Sequence, residues 1–82
     1  MQLKSSIAIN DNGFLFDPNT GDSYTTNVVG REIIFMLKQG MLVESIKMKI
    51  LERYDVDEII LEKNMIDFLA MLRHHNLTDD SL

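Results

Sequence analysis

The sequence predicts an α+β domain in which a three-stranded antiparallel sheet precedes three helices. Two observations carry this reading. Over the first third of the chain, apolar residues alternate at period two between strong turn signals. From Asn27 onward they recur at three-to-four spacing between helix-capping residues. Strands first and helices after, on short loops, disfavour a doubly wound parallel sheet.

The first strand is expected in "LKSSIAIN", where Leu3, Ser5, Ile7 and Ile9 share one face. Asn12-Gly13 is a hairpin turn signal. "FLF" at 14–16 is short, apolar and aromatic, and supplies the second strand. "DPNTGD" turns the chain again through Pro18, Asn19 and Gly21. "SYTT" at 23–26 is rich in β-formers and makes the third.

The first helix follows at once. Val29, Ile33, Ile34 and Leu37 form its stripe, Thr26 or Asn27 can cap it, and Gly40 ends it. Gly30 stands inside it, although an interior glycine costs about 1 kcal/mol relative to alanine. A missing side chain on the inner face lets another element approach closely. Val43, Ile46, Ile50 and Tyr54 mark a second helix with no side-chain cap. Asp55 or Asp57 can cap the third and longest helix, from about Glu58 to His75. Its stripe is Leu61, Met65, Phe68, Leu69 and Leu72, and Asn76 suits a left-handed cap. The tail "TDDSL" is polar and expected to fray. A helix-turn-helix core with a small sheet attached, in the winged-helix manner, is the packing this order suggests.

The totals narrow the function. The 82 residues suit one domain, residues 1–82, without a linker. No apolar run approaches the roughly 20 residues of a membrane span, and the start lacks a secretory h-region, so a cytoplasmic protein is expected. The chain has no cysteine, which removes disulfides, thiolate metal sites and cysteine nucleophiles. The net charge of −5 argues against a nucleic-acid partner, since phosphate contacts need a basic stripe.

Candidate chemistry is thin. His74 and His75 point about 100° apart on a helix and have no carboxylate at ligand spacing. Asp17, Asn19 and Asp22 resemble the start of a calcium loop, but position 28 is Val28 rather than the closing glutamate. Phosphate loops and ordered triads are missing. No catalytic residue, metal site or cofactor is expected, and the chain reads as non-enzymatic.

Binding remains. The short third strand offers an edge to which an extended peptide can add. Beside the core stripe of the third helix runs a second line, Ile59, Ile66, Ala70 and Arg73. Periodicity leaves open whether this line walls a groove or widens the core.

At these residues the chain resembles the PqqD family. "TTNVVGREIIFMLKQG" carries Asn27, Gly30, Ile33, Ile34, Leu37 and Gly40 in the family's order. "VESIKMKILERYDVDE" matches its next segment at Ile46, Leu51, Tyr54, Val56 and Asp57. "NMIDFLAMLRHHNL" resembles its closing helix at Met65, Phe68, Leu69, Leu72 and Leu77. The similarity runs from about Ile7 to Leu77. It departs where the family often has tryptophan and this chain has Ile34, and at Asn64 and Asn76, where aspartate and glycine are common.

The resemblance implies a winged helix-turn-helix fold and a role in making ribosomally synthesised, modified peptides. Members bind the leader segment of a precursor peptide and present its core to a modifying enzyme, often a radical SAM protein. Carried over, the binding edge is Ser23, Tyr24 and Thr25. The facing helix wall is Ile66, Ala70 and Arg73, with Lys63 beside it as a second cation for leader recognition. The rivals from other classes are a winged-helix DNA-binding regulator and a dimerising subunit. The expected state is a monomer or weak dimer, with no membrane contact.

Overall fold

The start of the chain differs from expectation. The computed structural model describes residues 1–79, and in it residues 3–9 are not one strand. They divide into β1, Gln2–Leu3, and β2, Ala8–Ile9, around a turn at Ser5 and Ser6. The Ile7 amide closes that turn on the Lys4 carbonyl at 3.1 Å. Leu3 and Ile7 are buried as the alternation required, but Leu3 reaches the core from β1 and Ile7 from the link between the turn and β2.

The reason lies at the other end. β1 pairs with β5, Thr78–Asp79, in the register Gln2↔Asp79 and Leu3↔Thr78. The Lys4 amide adds a bond to the Leu77 carbonyl at 2.9 Å. Leu77 and Thr78 are buried, so the first residues of the polar tail are held rather than frayed. The remainder of that tail, residues 80–82, lies outside the described residues.

The second sheet is the expected meander. β2 pairs with β3, Phe14–Asp17, and β3 with β4, Asp22–Thr25, all antiparallel. Asn10 sets the first hairpin, its Oδ1 accepting from the Asn12 and Phe14 amides at 3.0 Å each. Asp17 sets the second, accepting from the Asn19 amide at 2.9 Å through Oδ1 and from the Gly21 amide at 2.8 Å through its carbonyl. The loop that resembles a calcium site is therefore a side-chain-closed turn. Leu15 faces the helices and is buried, while Phe14 and Phe16 face outward and stay exposed.

The helices follow their caps. α1 spans Val28–Lys38 behind Asn27, α2 spans Val43–Arg53 without a side-chain cap, and α3 spans Glu58–His74 behind Asp57. Gly40 takes φ +82° just past the end of α1. Asn76 takes φ +57° after α3, the left-handed position that asparagine tolerates better than most residues. One core joins Leu15 of the sheet to Ile34 and Leu37 of α1, Ile46 and Ile50 of α2, and Leu72 of α3. Ile34 is wholly buried. Arg53 Nη1 meets Glu32 Oε2 at 2.6 Å and ties α2 to α1 at the surface.

Candidate functional site

β4 is an open edge, since the strand order is β2-β3-β4. The residues whose main chain faces that edge follow from the ladder. The Thr26 amide donates to the Gly13 carbonyl at 3.0 Å, so the chain at Thr26 faces β3. In an antiparallel pair the hydrogen-bonded positions alternate. Tyr24 and Asp22 therefore point their main-chain groups at β3, and Ser23 and Thr25 point theirs outward. A strand added here meets two N–H groups and two carbonyls, all from Ser23 and Thr25.

Beneath the edge stands the end of α3. The Tyr24 side chain is on the inner face and half-buried, its ring centroid 5.0 Å from that of His75 at 49°. His74 meets His75 edge-on at 5.2 Å, so the pair closes the end of the helix rather than facing one ligand together. Desolvation, together with the Asp22 and Asp17 carboxylates, raises the pKa of the Tyr24 phenol above its ordinary 10.0.

Past Thr25 the chain turns into α1, and a cavity of about 280 Å³ opens between that helix start and α3. Val29, Gly30, Ile33, Ile60, Asn64 and Phe68 are among its walls, which makes it largely apolar. Gly30 has its explanation here. A Cβ at this position would stand 3.2 Å from Cε1 of Phe68 and 3.2 Å from Oδ1 of Asn27. The absent side chain lets the Phe68 ring lie against α1 and form the side of the cavity. The same backbone N–H, on Gly30, donates to the Asn27 cap at 2.7 Å.

These contacts fix which side of α3 faces β4 and α1. It is the line Ile60, Asn64 and Phe68, spaced four residues apart and continued past the helix end by His75. At 3.6 residues per turn, Ile66, Ala70 and Arg73 lie about 150° round the helix from that line. All three are exposed on the outer face. Lys63, also exposed, sits between the two faces. Tyr24 thus meets the end of α3 at His75, and Phe68 lines the cavity against Gly30, while Ile66, Ala70 and Arg73 are exposed on the side of α3 turned away from those contacts. The sequence counted Phe68 as plain core. The clue to its other role was the interior glycine at position 30.

The electrostatics do not suit a phosphate backbone. The exposed surface of α3 mixes Glu58, Glu62 and Asp67 with Lys63 and Arg73, so no basic stripe forms there. Among the described residues no cluster of histidine and carboxylate side chains could hold a metal ion, and no helix is long and apolar enough to cross a membrane.

Two solved structures resemble this fold. One is TbiB1 in complex with the TbiA(beta) leader peptide, 27% identical, with a TM-score of 0.87 over 100% of this chain and 99% of that one. The other is lasso peptide synthetase B1 complexed with its leader peptide, 20% identical, with a TM-score of 0.77 over 94% of this chain and 93% of that one. No curated protein sequence matches the chain. The family model described as coenzyme PQQ synthesis protein D matches residues 12–77, most of the length, and the chain belongs to the PqqD family.

Proposed function

We propose that this protein is a non-catalytic recognition element that binds the leader segment of a ribosomally made precursor peptide and presents it to a modifying enzyme. The observation that carries this is the open β4 edge, with the main-chain groups of Ser23 and Thr25 facing out beside an apolar cavity. The similarity to TbiB1 over the whole chain, in a complex that holds a leader peptide, supports it.

In this reading the leader adds as a fourth strand along Ser23, Tyr24 and Thr25. Ile60, Asn64, Phe68 and Met71 form the opposite wall, with Lys63 at its rim. One apolar leader side chain enters the cavity beneath α1. Four main-chain hydrogen bonds give about 1 kcal/mol each net, and burying one large apolar side chain gives about 2–3 kcal/mol more. Association itself costs at least about 4 kcal/mol. The strand pairing alone therefore binds poorly, and the anchored side chain decides which leader is held.

The partner enzyme in this reading is of the radical SAM type, and the encounter takes place in the cytoplasm, where the precursor is made. The DNA-binding alternative has no basic surface on α3 to support it.

An amide chemical-shift titration tests the proposal. The labelled protein receives the leader segment of a precursor peptide encoded beside its gene, then duplex DNA. The expected result is a set of peptide-induced shifts at residues 22–26 and along Ile60, Asn64, Phe68 and Met71. Shifts on α3 with DNA and none with peptide would sink it.

A further inference from the structure

The outer face of α3 has no task in the reading above. Ile59 is 78% exposed and Ile66 is 62% exposed, on a helix whose opposite side is packed into the core. With Ala70 they form an apolar strip about 16 Å long. Charged residues border it on both sides, Glu62 and Arg73 on one flank and Lys63 and Asp67 on the other.

We propose that this strip is a self-association surface, on which α3 packs antiparallel against α3 of a second copy about a two-fold axis near Ile66. The charge pattern names the occupant. Such an axis brings each flank against the same flank of the second copy and reverses its direction. Lys63 then lies two residues, or about 3 Å along the axis, from Asp67 of the second copy. Glu62 lies three residues, or about 4.5 Å, from Arg73 of the second copy. Both offsets are within reach of long side chains. Arg73 already has an interaction in its own chain, but a guanidinium carries five N–H donors.

The apolar sizes agree with the same axis. Ile66 meets its own copy at the centre. Ile59 falls under the aliphatic stem of Arg73 of the second copy. Ala70 is small where the stem of Glu62 of the second copy must pass. The strip and its flanking stems offer on the order of 400 Å² per copy, about half of a standard interface. The association is therefore weak. It leaves the β4 edge free, because that edge lies on the other side of α3, and a dimer carries two open edges.

Sedimentation velocity on the protein alone, from about 10 µM to about 1 mM, tests this. No peptide is present, so the result is independent of leader binding. The expected result is a sedimentation coefficient that rises with concentration, with Ile66→Asp abolishing the rise at unchanged thermal stability. Lys63→Glu weakens association about tenfold, and Lys63→Glu combined with Asp67→Lys restores it. Concentration-dependent amide shifts of the unaltered protein map the contact without any substitution. A constant coefficient overturns the proposal. So does association that survives Ile66→Asp, or shifts at the exposed Phe14 and Phe16 of the sheet in place of α3.

Discussion

Replacing Asn27 with alanine isolates one hydrogen bond at the junction of β4 and the first helix. Asn27 has extended backbone, φ −78° and ψ −179°, and its Oδ1 accepts from the Gly30 amide at 2.7 Å. The first turn of α1 has no acidic residue. No acidic residue of that turn offsets the positive end of the helix. α3 differs, because Asp57 caps it and Glu58 follows in its first turn. Loss of an N-cap of this kind costs about 1 kcal/mol and at most about 2 kcal/mol. In a domain of this size, 1 kcal/mol moves the melting temperature by roughly 4–8 °C. Asn27→Ala should therefore melt about 4–8 °C below the parent, read by circular dichroism on a reversible transition. Asn27→Asp keeps an acceptor and adds a charge that the helix end favours by about 0.3–1 kcal/mol, so it should melt at or above the parent temperature. An unchanged melting point in the alanine variant would refute the reasoning. So would an aspartate variant as unstable as the alanine one, since both keep the same backbone.

Three further residues, Gly30, Tyr24 and Asn76, carry testable outcomes. Gly30→Ala gains about 1 kcal/mol of helix propensity but must displace the Phe68 ring, so stability should change by less than about 1 kcal/mol while the Phe68 ring resonances move; a still ring would contradict the 3.2 Å approach. Gly30→Leu has no such escape and should destabilise by about 1–3 kcal/mol on denaturant unfolding. The Tyr24 phenol should titrate above the ordinary tyrosine value. Its folded pKa is raised, so its contribution to stability is full below the unfolded pKa of about 10 and is lost as pH rises through the folded value. Ultraviolet difference titration of the parent and of Tyr24→Phe reads that step, and a parent step at the free-tyrosine value would argue against it. Asn76→Val places a β-branched residue at φ +57° and should lower stability by about 1–2 kcal/mol, whereas Asn76→Gly should match or exceed the parent.

The helices were legible in the sequence because their signals are local and repeated. The caps at Asn27 and Asp57 and the left-handed Asn76 were all readable from residue type at the end of a periodic run. The pairing of β1 with β5 was not, because two-residue strands have no period and their partners lie at opposite ends of the chain. The alternation of Leu3, Ser5, Ile7 and Ile9 concealed a turn, since a run that buries every second residue looks alike whether the chain continues or bends between them. The open β4 edge could be read from strand order. The side of α3 that faces it could not, because periodicity shows that Ile59 and Ile66 lie off the core stripe but not what stands beyond them. Only the contacts of Phe68 with Gly30 and of His75 with Tyr24 supply that direction.

The β1–β5 ladder also sets when the molecule is finished. Within this domain β1 is made before the other strands and helices, and β5 is made after them. The hairpins and helices between them are made of near neighbours and can form early. Closing so long a loop adds little to the equilibrium cost, because that cost grows only with the logarithm of length. In time it is another matter. Until Thr78 and Asp79 emerge, the main-chain groups of Gln2 and Leu3 have no strand to pair with. A nascent domain can thus hold a complete β4 edge while β1 is still loose, and the last of its described strands is the one that fastens the first.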